Sequence, residues 1–264
     1  MNSLPSDPIL SCEEALAFEQ DYFQENQDRE WEVMNRAGES LGDSLLRDMR
    51  ELRTIPPRPR ILLLVGKGHN GGDALIAAKR LLKTIPTARA VIWQVTKWED
   101  CRPLVQKAHH EMIELVGNRV TETEILENLS GSKEVESTLT ELLEQGDFTA
   151  SIDGLLGMRA KLPLRPILAE LVSVINRCKK IGVRVAVDLP TGIGEESVGE
   201  ALRANFTYCT GIAKLPVIHK NNSKWTGRLR YLDLGFFDDL SVSIPRKSGV
   251  EVLRCTALKT LREL

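Results

Sequence analysis

At 264 residues the chain has room for one large α/β domain or two small ones. A formal net charge of −2, with 27% charged and 42% hydrophobic residues, gives no general affinity for nucleic acid or anionic membrane. No apolar run approaches the roughly 20 residues needed to span a bilayer, and the opening Met-Asn-Ser-Leu-Pro-Ser-Asp-Pro has neither a secretory signal nor the Arg-rich character of a transit peptide, so a cytoplasmic location is expected.

Ser11-x-x-Glu14 reads as a capping box opening an amphipathic helix that includes Leu16 and Phe18. A second helix is predicted from about Trp31 to Leu52, with Val33, Met34, Ala37, Leu41, Leu45 and Leu46 near one face. Ile55-Pro-Pro-Arg-Pro ends it. Residues 61–65 then read as a buried parallel strand. The chain turns through Gly66, Gly68, Gly71 and Gly72 into a helix predicted near 72–84. Further strands are predicted near 90–95, 148–152, 183–187, 206–209 and 229–233, with helices near 101–116, 133–145 and 164–179. Residues 118–147 are the most polar connection. This alternation implies a doubly wound, mostly parallel sheet with helices on both faces, a Rossmann-like three-layer sandwich. Ligands on such sheets bind beyond the carboxyl ends of the strands.

Cys12, Cys101, Cys178, Cys209 and Cys255 are odd in number and never spaced Cys-x-x-Cys, which argues against a disulfide framework or zinc site. His109 and His110 would point to different sides of a helix and make a poor metal pair; His69 is the histidine nearest a candidate site.

The strand-to-helix turn is the most informative stretch. A helix N-terminus after a glycine-rich loop offers free N–H groups to an anion, and Asp73 adds a carboxylate. Gly66-x-Gly68-x-x-Gly71 spells the dinucleotide fingerprint, but the next strand ends Gln94-Val95-Thr96-Lys97 without the acid that holds a ribose hydroxyl. A dehydrogenase is therefore disfavoured. A Walker loop needs Gly-Lys-Ser/Thr, and this loop ends Gly-Gly-Asp.

Two other strand ends carry comparable signals: Asp153-Gly-Leu-Leu-Gly157 and Asp188-Leu-Pro190-Thr191-Gly192. Each aspartate alone is as readily a helix N-cap. In a parallel sheet, however, all three ends lie on one edge, so Asp73, Asp153 and Asp188 are expected to face one crevice with Asn70 and Thr191. Asn70, Asp153 and Thr191 are hard oxygen donors of low total charge, suited to a monovalent cation. Asp188 is the better acid/base candidate, since desolvation can move a carboxyl towards neutrality. No Ser/His/Asp or Cys/His arrangement suggests covalent catalysis.

Together these motifs resemble the NAD(P)H-hydrate epimerase family, the YjeF N-terminal domain. His69-Asn-Gly-Gly-Asp73 is similar to that family's Asn-Asn-Gly-Gly-Asp, Asp153-Gly-Leu-Leu-Gly157 to its Asp-Ala-Leu-Phe-Gly, and Asp188-Leu-Pro-Thr191-Gly192 to its Asp-Ile-Pro-Ser-Gly. Met34-Asn-Arg-Ala-Gly38, Ala213-Lys214, Gly227-Arg228 and Asp233-Leu-Gly235 extend the likeness over about residues 10 to 237. The resemblance implies an isomerase that interconverts the R and S epimers of hydrated NADH and NADPH (NADHX and NADPHX) in nicotinamide nucleotide repair. It implies substrate binding by His69, Asn70, Gly71, Gly72, Asp73 and Asp188, with Gly157, Met158, Arg159, Ala160, Lys161, Leu162 and Pro163 covering the ligand. It also implies a potassium ion held by Asn70, Asp153 and Thr191. Asp188 would carry the proton, with Lys214 as electrostatic helper. A homodimer and a separate ADP- or ATP-dependent dehydratase are the implied partners. Residues 1–237 would form the epimerase domain and 238–264 a tail similar to the bridge into a dehydratase domain in fused relatives, no dehydratase following. The chain departs from the family at His69, Gly154 and Thr191, and at Met158-Arg159, where Gly-Thr-Gly is common. Those departures are what supports the alternative, a non-catalytic nucleotide-binding or dimerising scaffold of the same fold.

Overall fold

The structure is a computed structural model that describes residues 6–123, 125–196 and 199–238, and the backbone of 251–253. Ten strands appear among them: β1 (Ser6–Leu10), β2 (Arg60–Val65), β3 (Arg89–Gln94), β4 (Val120–Glu122), β5 (Phe148–Gly154), β6 (Ile181–Val187), β7 (Phe206–Thr210), β8 (Ala213–Lys214), β9 (Arg228–Leu232) and β10 (Glu251–Leu253). The α-helices are α1 (Cys12–Phe23), α2 (Gln27–Leu52), α3 (His69–Thr84), α4 (Pro103–Val116), α5 (Ser132–Glu144), α6 (Pro166–Arg177) and the single turns α7 (Leu215–Ile218) and α8 (Ser223–Thr226).

Seven strands form one sheet in the order β4-β3-β2-β5-β6-β7-β9, and every neighbouring pair is parallel. Strand β2 shows why its sequence reads as a continuous apolar run. Ile61, Leu63 and Val65 pack beneath α2, α3 and α4, while Leu62 and Leu64 pack against α5 and α6 on the other face. With both faces covered, alternation has no polar side to report. The chain runs from β2 outward to β3, then returns across the sheet to β5, so the topological switch lies between β2 and β5.

The helices on the first face fit by reciprocal insertion. A Cβ on Gly72 of α3 would lie 2.6 Å from Met34 Sδ, and one on Gly38 of α2 would lie 2.5 Å from Ile76 Cβ. Met34 and Ile76 each occupy the space the facing glycine leaves open. This fit explains a departure from the predicted boundary. Gly71 and Gly72 are the third and fourth residues of α3, not part of a loop before it, because packing outweighs the poor helix propensity of glycine.

The remaining predicted helices and sheet strands appear within a few residues of their expected places. β1, β4 and β10 were not legible. β1 pairs parallel with β8, Leu10 opposite Lys214, and antiparallel with β10. Apart from Asp238 and the backbone of β10, the predicted tail 238–264 lies outside the described residues.

Candidate functional site

The capping-box prediction holds. Ser11 Oγ accepts from Glu14 N–H at 3.0 Å, and Glu14 Oε2 accepts from Ser11 N–H at 2.9 Å. Since Ser11 follows the residue paired with Lys214, the box starts α1 directly over the carboxyl ends of the sheet strands. Phe18, Tyr22 and Phe23 of that helix pack with Phe236 and Phe237, Phe18 and Phe237 lying 5.0 Å apart between ring centres.

Between α1, α2, α3 and the loops after β5 and β6 lies a crevice with a volume of about 250 Å³. Its wall includes His69, Asn70, Asp73, Gly157, Met158, Arg159, Ala160 and Asp188 from the sequence prediction. Gly71, Gly72, Lys161, Leu162, Pro163 and Lys214 are not in the wall. Gly71 and Gly72 face Gly66 and Met34 instead, and Lys214 sits behind Asp188.

Asp188 stands at a sharp bend. Its φ is +65°, and Leu189 N–H donates to Val187 C=O at 2.7 Å, closing a three-residue turn that a non-glycine residue rarely adopts. The turn ends β6 and aims the carboxylate into the crevice. Lys214 Nζ donates to Asp188 Oδ1 at 2.6 Å, and both side chains are buried. Asp188 is thus half of a buried ion pair, and its partner is Lys214, the residue named above as its electrostatic helper. Burial works against the Lys214 ammonium, but Asp188 and then Glu19 outweigh it and hold its pKa above the ordinary lysine value.

Asn70 joins the strand ends. Its Nδ2 donates to Leu156 C=O at 3.0 Å and to Val187 C=O at 2.8 Å, tying α3 to the loops after β5 and β6. The backbone passes close here: a Cβ on Gly154 would lie 2.5 Å from Asn70 O, so the family's usual alanine does not fit without a shift.

Asp153 and Thr191 correct the expectation of a shared crevice face. Both are buried and neither is in the wall. Asp153 Oδ1 accepts from Thr191 Oγ1 at 2.7 Å and from Leu155 N–H at 3.2 Å, and Oδ2 accepts from Thr191 N–H at 2.8 Å. The carboxylate thus fastens one strand-end loop to the next. Burial raises its pKa to about 6, while the bonds from Thr191 and Leu155 pull the other way. Its hydrogen-bond donors are neutral, and it forms no ion pair with the described residues.

The crevice is electrically two-sided. Exposed Lys67, Arg102 and Arg159 stand in its wall near His69. His69 Nε2 lies 3.3 Å from Arg102 Nη1, and burial, then Arg102 and Arg159, push its pKa down to about 4. A neutral ring accepts from the guanidinium, so His69 orients Arg102. At the other end are buried Asp73 and Asp188 with half-buried Glu19 of α1. Burial lifts Asp73 well above the usual carboxylate range; Asp188 and Glu19 add to the rise and Lys214 opposes it. Glu19 is lifted to about 7, chiefly by burial, with Lys214 opposing. Sequence reasoning missed Glu19, Lys67 and Arg102. Nothing in a helical glutamate marks it as other than solvent-facing, and only the pairing of β1 with β8 brings it here. Among the described residues no group of three or more His, Cys, Asp or Glu forms a metal cluster, and no helix is long and apolar enough to cross a membrane.

Residues 30–215 match the family described as YjeF-related protein N-terminus. An NAD(P)H-hydrate epimerase of Rhodopirellula baltica is 26% identical over 190 residues, covering 70% of this chain and 69% of that one. Another, from Truepera radiovictrix, is 29% identical over 186 residues, 69% and 70% of the two chains. A bifunctional NAD(P)H-hydrate repair enzyme, Nnr, of Gloeobacter violaceus is 32% identical over 67% of this chain but only 31% of its own length. The crystal structure of yeast ynu0, YNL200c, matches with a TM-score of 0.64 over 85% of this chain and 87% of that one, at 18% identity, and so shares the fold.

Proposed function

This chain belongs to the family of YjeF-related protein N-terminal domains, and we infer that it is an NAD(P)H-hydrate epimerase, an isomerase that interconverts the R and S epimers of hydrated NAD(P)H. The observation that carries the reading is the pairing of a cationic rim with an acidic floor in one crevice at the sheet's switch point. The substrate has the same polarity. Its phosphates suit Lys67, Arg102 and Arg159, and its hydrated nicotinamide ring suits the carboxyl end.

Epimerisation at C6 needs bond cleavage, shielding and return on the other face, with no net redox change. Asp188 is the proton acceptor in this scheme. Its backbone turn fixes its direction and Lys214 stabilises its charge. His69, Asn70 and Asp73 bind the ligand from α3, and the loop from Gly157 to Ala160 covers it.

A potassium ion belongs with Asn70, Asp153 and Thr191. Two features support it: Asn70 keeps Oδ1 free of the two bonds its Nδ2 makes, and Asp153 is a buried carboxylate held only by neutral donors. The bound ion would supply a fixed positive charge beneath the phosphate-binding turn. We propose a separate dehydratase as the functional partner, on the family resemblance; the existence of bifunctional NAD(P)H-hydrate repair enzymes among the relatives supports a second repair activity acting beside this one. We also propose a homodimer, on the family resemblance, and a cytoplasmic location, which free Cys12, Cys101, Cys178 and Cys209 support.

The test is to incubate the chain with one purified epimer of the hydrate and follow the epimer ratio by chromatography. Equilibration faster than without protein is expected. Binding without equilibration would leave the scaffold reading standing, and oxidation of the nicotinamide would replace the isomerase with an oxidoreductase. Thr191→Val should abolish the thermal stabilisation that potassium gives the parent; equal stabilisation by potassium and sodium chloride in the parent would refute the cation site.

A further inference from the structure

We propose that Glu19 of α1 is a further catalytic residue of this epimerase, its carboxyl acting as the acid at the C6 hydroxyl while Asp188 acts as the base; the assignment rests on the epimerase reading. The geometry begins with β1. Its register sets Leu10 opposite Lys214, the residue that holds Asp188. The capping box then fixes where α1 starts, and Phe18 and Phe23, on either side of Glu19 in sequence, are buried in the aromatic cluster with Phe236. Held at both points, the helix presents Glu19 to the crevice wall. The family match starts only at residue 30, so this contribution comes from outside the matched span.

The carboxyl is not serving the fold. Glu19 is half-buried, yet no ion pair or hydrogen bond of its side chain occurs among the described residues. The charged groups facing it are Lys214, Asp188, Arg159, Glu30 and Asp73. Glu19 holds a proton to near neutral pH, whereas Asp188 has an ammonium against it. Two carboxyls whose surroundings separate their protonation states are what acid and base roles require.

The step balances. The Glu19 acid gives its proton to the C6 hydroxyl; the C6–O bond breaks, water departs, and the ring nitrogen's lone pair forms the C6=N bond. Water adds to the other face of C6 and loses its extra proton to Asp188. The proton has then moved from Glu19 to Asp188. Exchange with solvent, or turnover in the reverse direction with the roles exchanged, returns it.

The deciding experiment compares the parent with Glu19→Gln across pH 5.5 to 9, starting from one purified epimer. The rate of Glu19→Gln is expected to fall by about 100-fold or more, as for loss of a general acid. Its affinity for the epimer mixture, measured by equilibrium dialysis, should stay within a few-fold, and the loss of rate with rising pH near neutrality should vanish. Glu19→Asp should keep part of the activity and shift that alkaline limb. A Glu19→Gln protein that equilibrates the epimers at the parental rate with the parental pH profile overturns the assignment while leaving the epimerase intact. If Glu19→Gln does not fold, an Asp variant with unchanged rate and unchanged limb overturns it equally. A parent chain that never equilibrates the epimers defeats the epimerase reading, and this assignment falls with it.

Discussion

Two groups of buried charge among the described residues are built on opposite principles. In one, Asp48 of α2 accepts from Arg230 Nη2 at 3.0 Å, Arg230 Nε at 3.1 Å and Tyr208 OH at 2.6 Å. Its hydrogen-bonding capacity is filled from β7 and β9, and it borders no crevice described above. In the other, Lys214 faces Asp188 directly, with Asp73 and Glu19 close by and without hydrogen bonds of their own among the described residues. A buried charge that is fully bonded locks elements together. Carboxyls left with spare capacity destabilise the fold unless a ligand or proton occupies them, and that is the mark of a site.

Asp188→Asn should separate the two groups most widely. Epimerisation is expected to fall by about 10² to 10⁴-fold, the range for loss of a proton-transfer group, while substrate binding survives. Undiminished turnover would remove Asp188 from the mechanism. Asp48→Ala should do the reverse. Breaking a buried pair costs about 3–5 kcal/mol, read as a lowered denaturation midpoint, but the rate per folded molecule should match the parent. A rate loss without a stability loss would mean the Asp48 group is tied to catalysis.

The pH dependence of stability should come from the crevice group. Asp73 and Glu19 keep protons in the folded chain that the unfolded chain has already released. Their contribution is therefore fully present below the unfolded carboxylate range and is lost as pH rises through about 7 for Glu19 and through the raised titration range of Asp73. The ligand-free protein should be less stable at pH 8 than at pH 5.5, and Glu19→Gln should narrow the gap by on the order of 1 kcal/mol. A flat stability profile would show that the two carboxyls are solvated. The smallest expected effect is that of Ser11→Ala. Losing the cap costs about 1 kcal/mol, and the rate should drop only modestly as α1 loosens, by less than the loss in Glu19→Gln. A full-length helix with unchanged melting would mean the aromatic cluster alone holds it.

Much of the site could be read from residue types because parallel topology makes strand ends converge whatever lies between them. Asn70, Asp73 and Asp188 reach the crevice for that reason, and the loop from Gly157 to Ala160 joins them. The same rule misplaced Asp153 and Thr191. Knowing that two strand ends meet does not say whether their side chains point into the gap or bond across it, and here Thr191 turns Asp153 inward. The boundary of α3 failed for a related reason. Two consecutive glycines read locally as a turn, yet Met34 on another helix fills the space above Gly72 and makes a helical turn the better solution.

The sequence by itself determined the order of strands and helices, the glycine-rich turn at the head of α3 and the capped start of α1, because periodicity, capping and φ preferences act within a few residues. Tertiary structure alone decided that Lys214 and Asp188 meet as a buried, directly bonded pair, that Asn70 ties three segments, and that Glu19 reaches the acidic floor. Those depend on β1 lying beside β8 and on how far each charge is taken from water, and neither register between distant strands nor desolvation is encoded in any local window of residues.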